Sequence, residues 1–174
     1  MNDSESGKTY PPLILTLALD KKVQVFFDSL RKKHFPPERN YLQAHLTLFH
    51  HLPGDQKQGI ITKLEEVAAA YPSFSLEVTE VKMIGRGVAY KLESELLMKL
   101  HRQLAKVWQD WLTPQDRQKL WPHITVQNKV EAAKARALHE KLAESFAPFT
   151  VRATGLKLWE YKGGPWEWIK SFSF

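Results

Sequence analysis

The chain contains no cysteine, which removes disulfides, zinc-thiolate sites, iron-sulfur clusters and thiol nucleophiles from consideration. It has no apolar run near the roughly 20 residues that a membrane-spanning helix needs. Residues Met1 to Lys8 are polar and lack the basic-then-apolar order of a secretory signal. A cytoplasmic protein is therefore expected, whose chemistry rests on His, Ser/Thr, carboxylates or an added group. Acidic residues are in deficit, 19 against 25 Lys and Arg, for a net charge of +6. Such an excess favours anionic partners such as nucleotides or RNA, although a basic surface that keeps the protein soluble has the same charge.

A length of 174 residues suits one compact domain, or two small lobes sharing a core. Residues 1–12 read as a flexible tail. The run Leu13 to Leu19 (LILTLAL) reads as a buried strand, and Asp20 as the cap of a helix with Val23, Phe26, Phe27 and Leu30 on one face. The basic, proline-containing stretch Arg31 to Arg39 reads as the loop that ends it. Next come a strand over Ala44 to Phe49 and a turn at Pro53-Gly54-Asp55. A helix carrying Ile60, Ile61, Leu64, Val67, Ala68 and Tyr71 inward leads to a strand from Phe74 to Ile84.

Gly85-Arg86-Gly87 breaks the chain near its midpoint. Beyond it, Val88 to Leu92 reads as a strand, and Ser94 caps a helix with Leu96, Leu97, Leu100, Leu104, Val107, Trp108 and Trp111 inward. A polar loop, a strand from His123 to Asn128 and a helix carrying Ala135, Leu138, Leu142 and Phe146 follow, then strands from Phe149. The order is strand, helix, strand, helix, strand, twice over, plus a closing strand at 165–174. Leu13 precedes His45 by 32 residues and Val88 precedes His123 by 35. The expectation is an α+β fold built from two pseudo-repeats, about 13–84 and 87–160. They would form two pseudo-symmetric lobes, each an antiparallel-type sheet with outer helices, around a central cleft.

Residues two apart on a strand share a face, so His45 projects with Thr47, and His123 with Thr125, over the apolar pairs Leu46/Leu48 and Ile124/Val126. One such motif is commonplace; two at equivalent places in a repeated architecture are informative. In-line cleavage of a phosphodiester needs a base on the attacking oxygen and an acid on the leaving oxygen. Two facing imidazoles supply both, since histidine titrates near pH 6.5 and small shifts of opposite sign set the roles. The threonine hydroxyls can donate to non-bridging oxygens as charge develops.

His45-Leu46-Thr47-Leu48 and His123-Ile124-Thr125-Val126 resemble the paired motifs of the 2H phosphoesterases, in particular the bacterial 2'-5' RNA ligase family and RNA 2',3'-cyclic phosphodiesterases. The resemblance runs from Leu13 to the last strands and includes Leu52-Pro53-Gly54 and Trp121-Pro122. It implies a two-lobed fold and hydrolysis of cyclic or 2',5'-linked phosphodiesters of RNA or nucleotides, with no metal and no cofactor. It also implies that His45 protonates the leaving oxygen and His123 activates water, though near-symmetric histidines can exchange these parts.

Arg86, between two glycines, is a candidate phosphate-binding residue by the same resemblance, or else an exposed hairpin arginine. Phe49, on the strand face of His45 and Thr47, and Trp121, two residues before His123, are candidates to stack on a base, with core packing the commoner role for such aromatics. Trp166, Trp168, Phe172 and Phe174 would alternate onto one face, as an aromatic platform or as the buried side of a terminal strand. His50 should point away from His45, and no Asp or Glu follows before Asp55, so a metal site has little support. His34, His101 and His139 read as surface or packing residues.

The expected activity is hydrolysis of a 2',3'-cyclic phosphate, with 2',5'-phosphodiester cleavage or ATP-independent 2'-5' ligation as the nearest alternative. An RNA-binding protein without turnover, or a scaffold whose His-x-Thr pairs only satisfy core hydrogen bonds, would use the same residues differently. A monomer is expected.

Overall fold

The computed structural model describes residues 8–174. Its elements are β1 (Leu13–Leu19), α1 (Lys21–His34), β2 (Leu46–Leu52), α2 (Lys57–Ala70), β3 (Phe74–Ile84), β4 (Gly87–Glu93), α3 (Glu95–Val107), β5 (His123–Gln127), α4 (Ala132–Glu144), β6 (Phe149–Tyr161) and β7 (Trp166–Ser173). The fold is α+β, and every strand pairing is antiparallel.

The seven strands form one sheet in the order β2-β1-β6-β3-β4-β5, with β7 beside the second half of β6. Each half of the chain pairs its first two strands, β1 with β2 and β4 with β5, and passes its third to the other: β6 pairs with β1 and β3 with β4. The halves are thus interlocked, with β3 and β6 side by side at the centre. The end strands β2 and β5 come into contact, so the sheet curls round on itself. That curl brings the two His-x-Thr strands to one place.

Asp20 and Ser94 cap α1 and α3 through their side chains, accepting from Val23 N at 3.1 Å and Leu97 N at 3.2 Å, and each cap contributes about 1 kcal/mol. All four helices feed one apolar cluster, including Phe27 of α1, Ile60 and Leu64 of α2, Leu97, Leu100 and Leu104 of α3 and Leu138 of α4. Helical spacing overstates the buried stripe at its margins. On α3 the stripe Leu97, Leu100, Leu104 and Trp108 is buried, whereas Leu96, Val107 and Trp111 flank it and are exposed, as is Phe26 on α1. In β7 an extra residue at Ile169 breaks the alternation, leaving Phe172 buried and Trp168 exposed.

α1 continues through Arg31 to His34, past the point where a loop was expected. Arg31 is buried there, Nε donating to Asn40 Oδ1 at 2.8 Å and Nη1 to the Thr125 carbonyl at 3.2 Å. The expected tail falls partly outside the described residues; its last part is anchored. The Pro12 carbonyl accepts from Tyr161 N at 3.0 Å, and Pro11 lies so close to Gly54 that a Cβ at Gly54 would overlap its carbonyl oxygen.

Candidate active site

His45 stands at the entry to β2 and His123 at the first position of β5. Each ring makes the same contact: Nδ1 of His45 lies 2.8 Å from the Gln43 carbonyl and Nδ1 of His123 lies 2.7 Å from the Trp121 carbonyl. A carbonyl only accepts, so Nδ1 carries the proton in both rings and Nε2 is left with its lone pair. The local sequence thus fixes tautomer and aim together, using the main chain two residues upstream.

Thr47 pairs with Thr16 across the β1–β2 ladder, and Thr125 pairs with Ala89 across β4–β5. Both threonines are half-buried, while the residues between, Leu46, Leu48, Ile124 and Val126, are in the core. Alternation therefore places each hydroxyl on the face of its histidine.

Burial pushes the His45 imidazole down to about 4, opposed by its bond to Gln43 and assisted by the positive potential of Arg31, His123 and His50. His123 is also lowered, again first by burial, with the Trp121 carbonyl opposing and His50 assisting. The strands that carry the two rings, β2 and β5, lie in contact.

Two cavities flank them. One of about 160 Å³ opens beside His45 and is lined by Thr16, Gln24, Tyr41, Gln43, Lys157, Trp159 and Trp166 among others. Trp166 packs on the His45 ring at 4.7 Å between centroids, and Trp159 Nε1 donates to Thr16 Oγ1 at 2.9 Å. The other, about 260 Å³, lies beside His123 and is lined by Thr47, His50, Gln115, Asp116, Gln118, Lys119 and Trp121 among others.

The comparisons with known proteins come down on one family. The family model described as the 2'-5' RNA ligase superfamily matches residues 19–165. The chain belongs to the 2'-5' RNA ligase superfamily. No curated protein sequence matches it significantly. Among solved structures, it is similar to TT0787 of Thermus thermophilus, with 16% identity and a TM-score of 0.63 over 93% of this chain and 97% of that one. It is also similar to E. coli LigT complexed with 3'-AMP, with 18% identity and a TM-score of 0.57 over 95% and 98%. A third is Usb1 of Kluyveromyces marxianus, with 16% identity and a TM-score of 0.51 over 97% and 99%. At these identities the solved structures establish the fold. Membership of this phosphoesterase superfamily makes the chain an enzyme of that broad kind. No helix among the described residues is long and apolar enough to cross a membrane.

Of the residues singled out from sequence, Trp121 lies beside His123: its ring stacks on that imidazole at 4.5 Å and 28° and is 37% exposed at the cavity wall. Phe49 does not. The β1–β2 register slips between Thr47 and Phe49, with Leu48 as the extra residue, and this turns Phe49 to the core face. There it is fully buried, stacked on His101 at 4.6 Å and edge-on to Trp108 at 5.3 Å. Arg86 also drops out. Its hairpin stands at the Gln127 end of β5, and it is exposed and lines neither cavity. Four strand residues, roughly 13 Å, separate that end from His123.

The same slipped register overturns the expected direction of His50, which lines the His123 cavity. A carboxylate does meet it, Asp116 from the loop after α3, with Nδ1 to Oδ1 at 3.1 Å. Among the described residues no three His, Cys, Asp or Glu side chains converge as a metal site would require. Arg31, Asp116, Trp159 and Tyr41 were missed from sequence. None lies in a motif; Arg31, Asp116 and Trp159 reach the site through tertiary packing, and Tyr41 stands on the segment that leads into His45.

Proposed function

We propose that the protein is a metal-independent phosphodiesterase that hydrolyses 2',3'-cyclic phosphates of RNA ends or nucleotides. The observation that carries this reading is the matched pair of imidazoles, each with Nδ1–H held by a carbonyl and Nε2 free, presented by two strands that the curled sheet brings into contact. One Nε2 takes the proton of the attacking water while the other, protonated, supplies one to the leaving ribose oxygen. Thr47 and Thr125 donate to the non-bridging oxygens as the pentacoordinate phosphorus gains charge.

In the free protein His45 holds its proton less firmly than His123. That order favours His45 as base and His123 as acid, the reverse of the assignment the family resemblance implied. The cavity beside His45 accepts the nucleobase against Trp166 and Tyr41, and Lys157 adds positive potential. E. coli LigT, of similar fold, was solved with 3'-AMP bound, which accords with a nucleotide in this cleft.

The test is hydrolysis, by EDTA-treated protein, of a 2',3'-cyclic nucleotide, of a short RNA ending in a 2',3'-cyclic phosphate and of a 2',5'-linked dinucleotide. Ring opening to a phosphomonoester on either cyclic substrate supports the reading. Turnover of the 2',5' linkage alone moves the activity to the alternative, and tight RNA binding with no cleavage makes the chain a binding protein.

A further inference from the structure

Asp116 is 3% exposed and, among the described residues, has no lysine or arginine partner. Burying a carboxylate so nearly completely costs several kcal/mol unless donors replace the lost water. Here they do. The carboxylate accepts from the main-chain N–H of His50 at 2.9 and 3.0 Å, from that of His51 at 2.8 Å, and from His50 Nδ1 at 3.1 Å. Burial alone would raise its pKa; the His50 ring and the two main-chain donors outweigh that and hold it below the ordinary value.

The arrangement depends on β2 leaving regular pairing. Leu13 pairs with Leu52 and Leu15 with Phe49, so two residues, His50 and His51, stand opposite Ile14 alone. The amides turned out of the ladder are the two that Asp116 caps. The ring of His50 is thereby set in the cavity lined by Thr47 and His123. Its exposure is also asymmetric: the His50 side chain is 43% accessible, while that of Asp116 is 1% accessible. An entering anion would meet the imidazole and be shielded from the carboxylate.

Resting on the phosphodiesterase reading, we infer that His50, held by Asp116, is the phosphate-binding group of this cleft, its Nε2–H donating to a non-bridging phosphoryl oxygen. With Nδ1–H given to Asp116, a proton on Nε2 makes the ring a cation whose charge the buried carboxylate balances. The other charged or titratable side chains on this cavity are Lys119, His101 and His123. His45 and His123 are both depressed by burial, so in the free protein they add little positive charge to attract the substrate. Gln115, Gln118 and Lys119 supply further donors on the same wall. Asp116 is a positioning residue that acts through His50.

The probe is inorganic phosphate, titrated calorimetrically and followed by histidine-ring NMR, with wild type, His50→Gln and Asp116→Asn. The expected result is that phosphate moves the His50 ring signals in wild type. His50→Gln should weaken phosphate binding about tenfold or more, the loss of one charge-assisted hydrogen bond. Asp116→Asn keeps a carbonyl oxygen for the main-chain amides but not the charge; it should weaken phosphate similarly and raise KM more than it lowers kcat. Unchanged phosphate affinity in His50→Gln, or no phosphate binding by wild type at millimolar concentration, overturns the inference. Wild type that binds phosphate through His50 yet cleaves no diester leaves the inference standing and defeats the catalytic reading.

Discussion

Arg31, on the first helix of one half, donates to the main-chain carbonyl of Thr125, on the His-x-Thr strand of the other, at 3.2 Å. The relation has a counterpart, since Nε2 of His101 on α3 lies 3.2 Å from the Leu48 carbonyl on β2. Each half's helix therefore braces the other half's His-x-Thr strand. Burial lowers the Arg31 guanidinium to about 10, with Asp28 opposing; it remains a cation beneath the site.

Replacing Arg31 removes both a brace and a charge. Arg31→Met should lower the unfolding free energy by about 2–4 kcal/mol, because Asn40 and the Thr125 carbonyl lose their partner in a buried setting. Urea denaturation measures this. Activity should fall further than the fraction unfolded accounts for, since Thr125 is no longer held.

The acid and base should separate by leaving group. A nitrophenyl ester of a nucleotide needs no proton on its leaving oxygen, so His123→Ala should retain most turnover on it while losing about a thousandfold on a ribose leaving group. His45→Ala should lose comparably on both. Equal losses for His123→Ala on the two substrates would assign the acid elsewhere.

Both depressed imidazoles affect stability against pH in one direction. Unfolded, a histidine takes a proton near pH 6.5; folded, His45 takes it only near about 4. Between those values the unfolded chain binds more protons, so stability is full above about pH 6.5 and falls as the pH drops toward 4. Urea midpoints from pH 7 to about 4.5 should decline, and His45→Gln should flatten the decline.

Much of this was legible in the chain itself. Element order followed from apolar runs and caps: β1 and β3 fall where the Leu13–Leu19 and Phe74–Ile84 patterns put them, and Asp20 and Ser94 cap as expected. The His-x-Thr pairs were readable because strand alternation is local. The exchange of β3 and β6 between halves was not, because pairing partners depend on long-range closure rather than on period. Phe49 and His50 were assigned to the wrong faces for one physical reason: a bulge adds a residue without any signature in composition. Arg86 was misplaced because a hairpin's sequence does not say at which end of the neighbouring strand it will stand.

In the other half, a close approach between β4 and β5 is open to test. A Cβ at Gly87 would overlap the Gln127 carbonyl oxygen at the end of β5. Gly87→Ala should therefore force the two strands apart and destabilise by about 2 kcal/mol or more, read as a lowered thermal midpoint.

If His45 and His123 act as one acid–base unit on a phosphodiester, their substitutions will not combine independently, and a double-variant cycle reads this out. Rates of 2',3'-cyclic phosphate hydrolysis in EDTA would be compared for wild type, His45→Ala, His123→Ala and the double variant. Each single substitution should cost at least about a thousandfold in kcat, and the double variant should be scarcely slower than either. Multiplying losses, or a single variant with near wild-type kcat, would contradict a shared acid–base role.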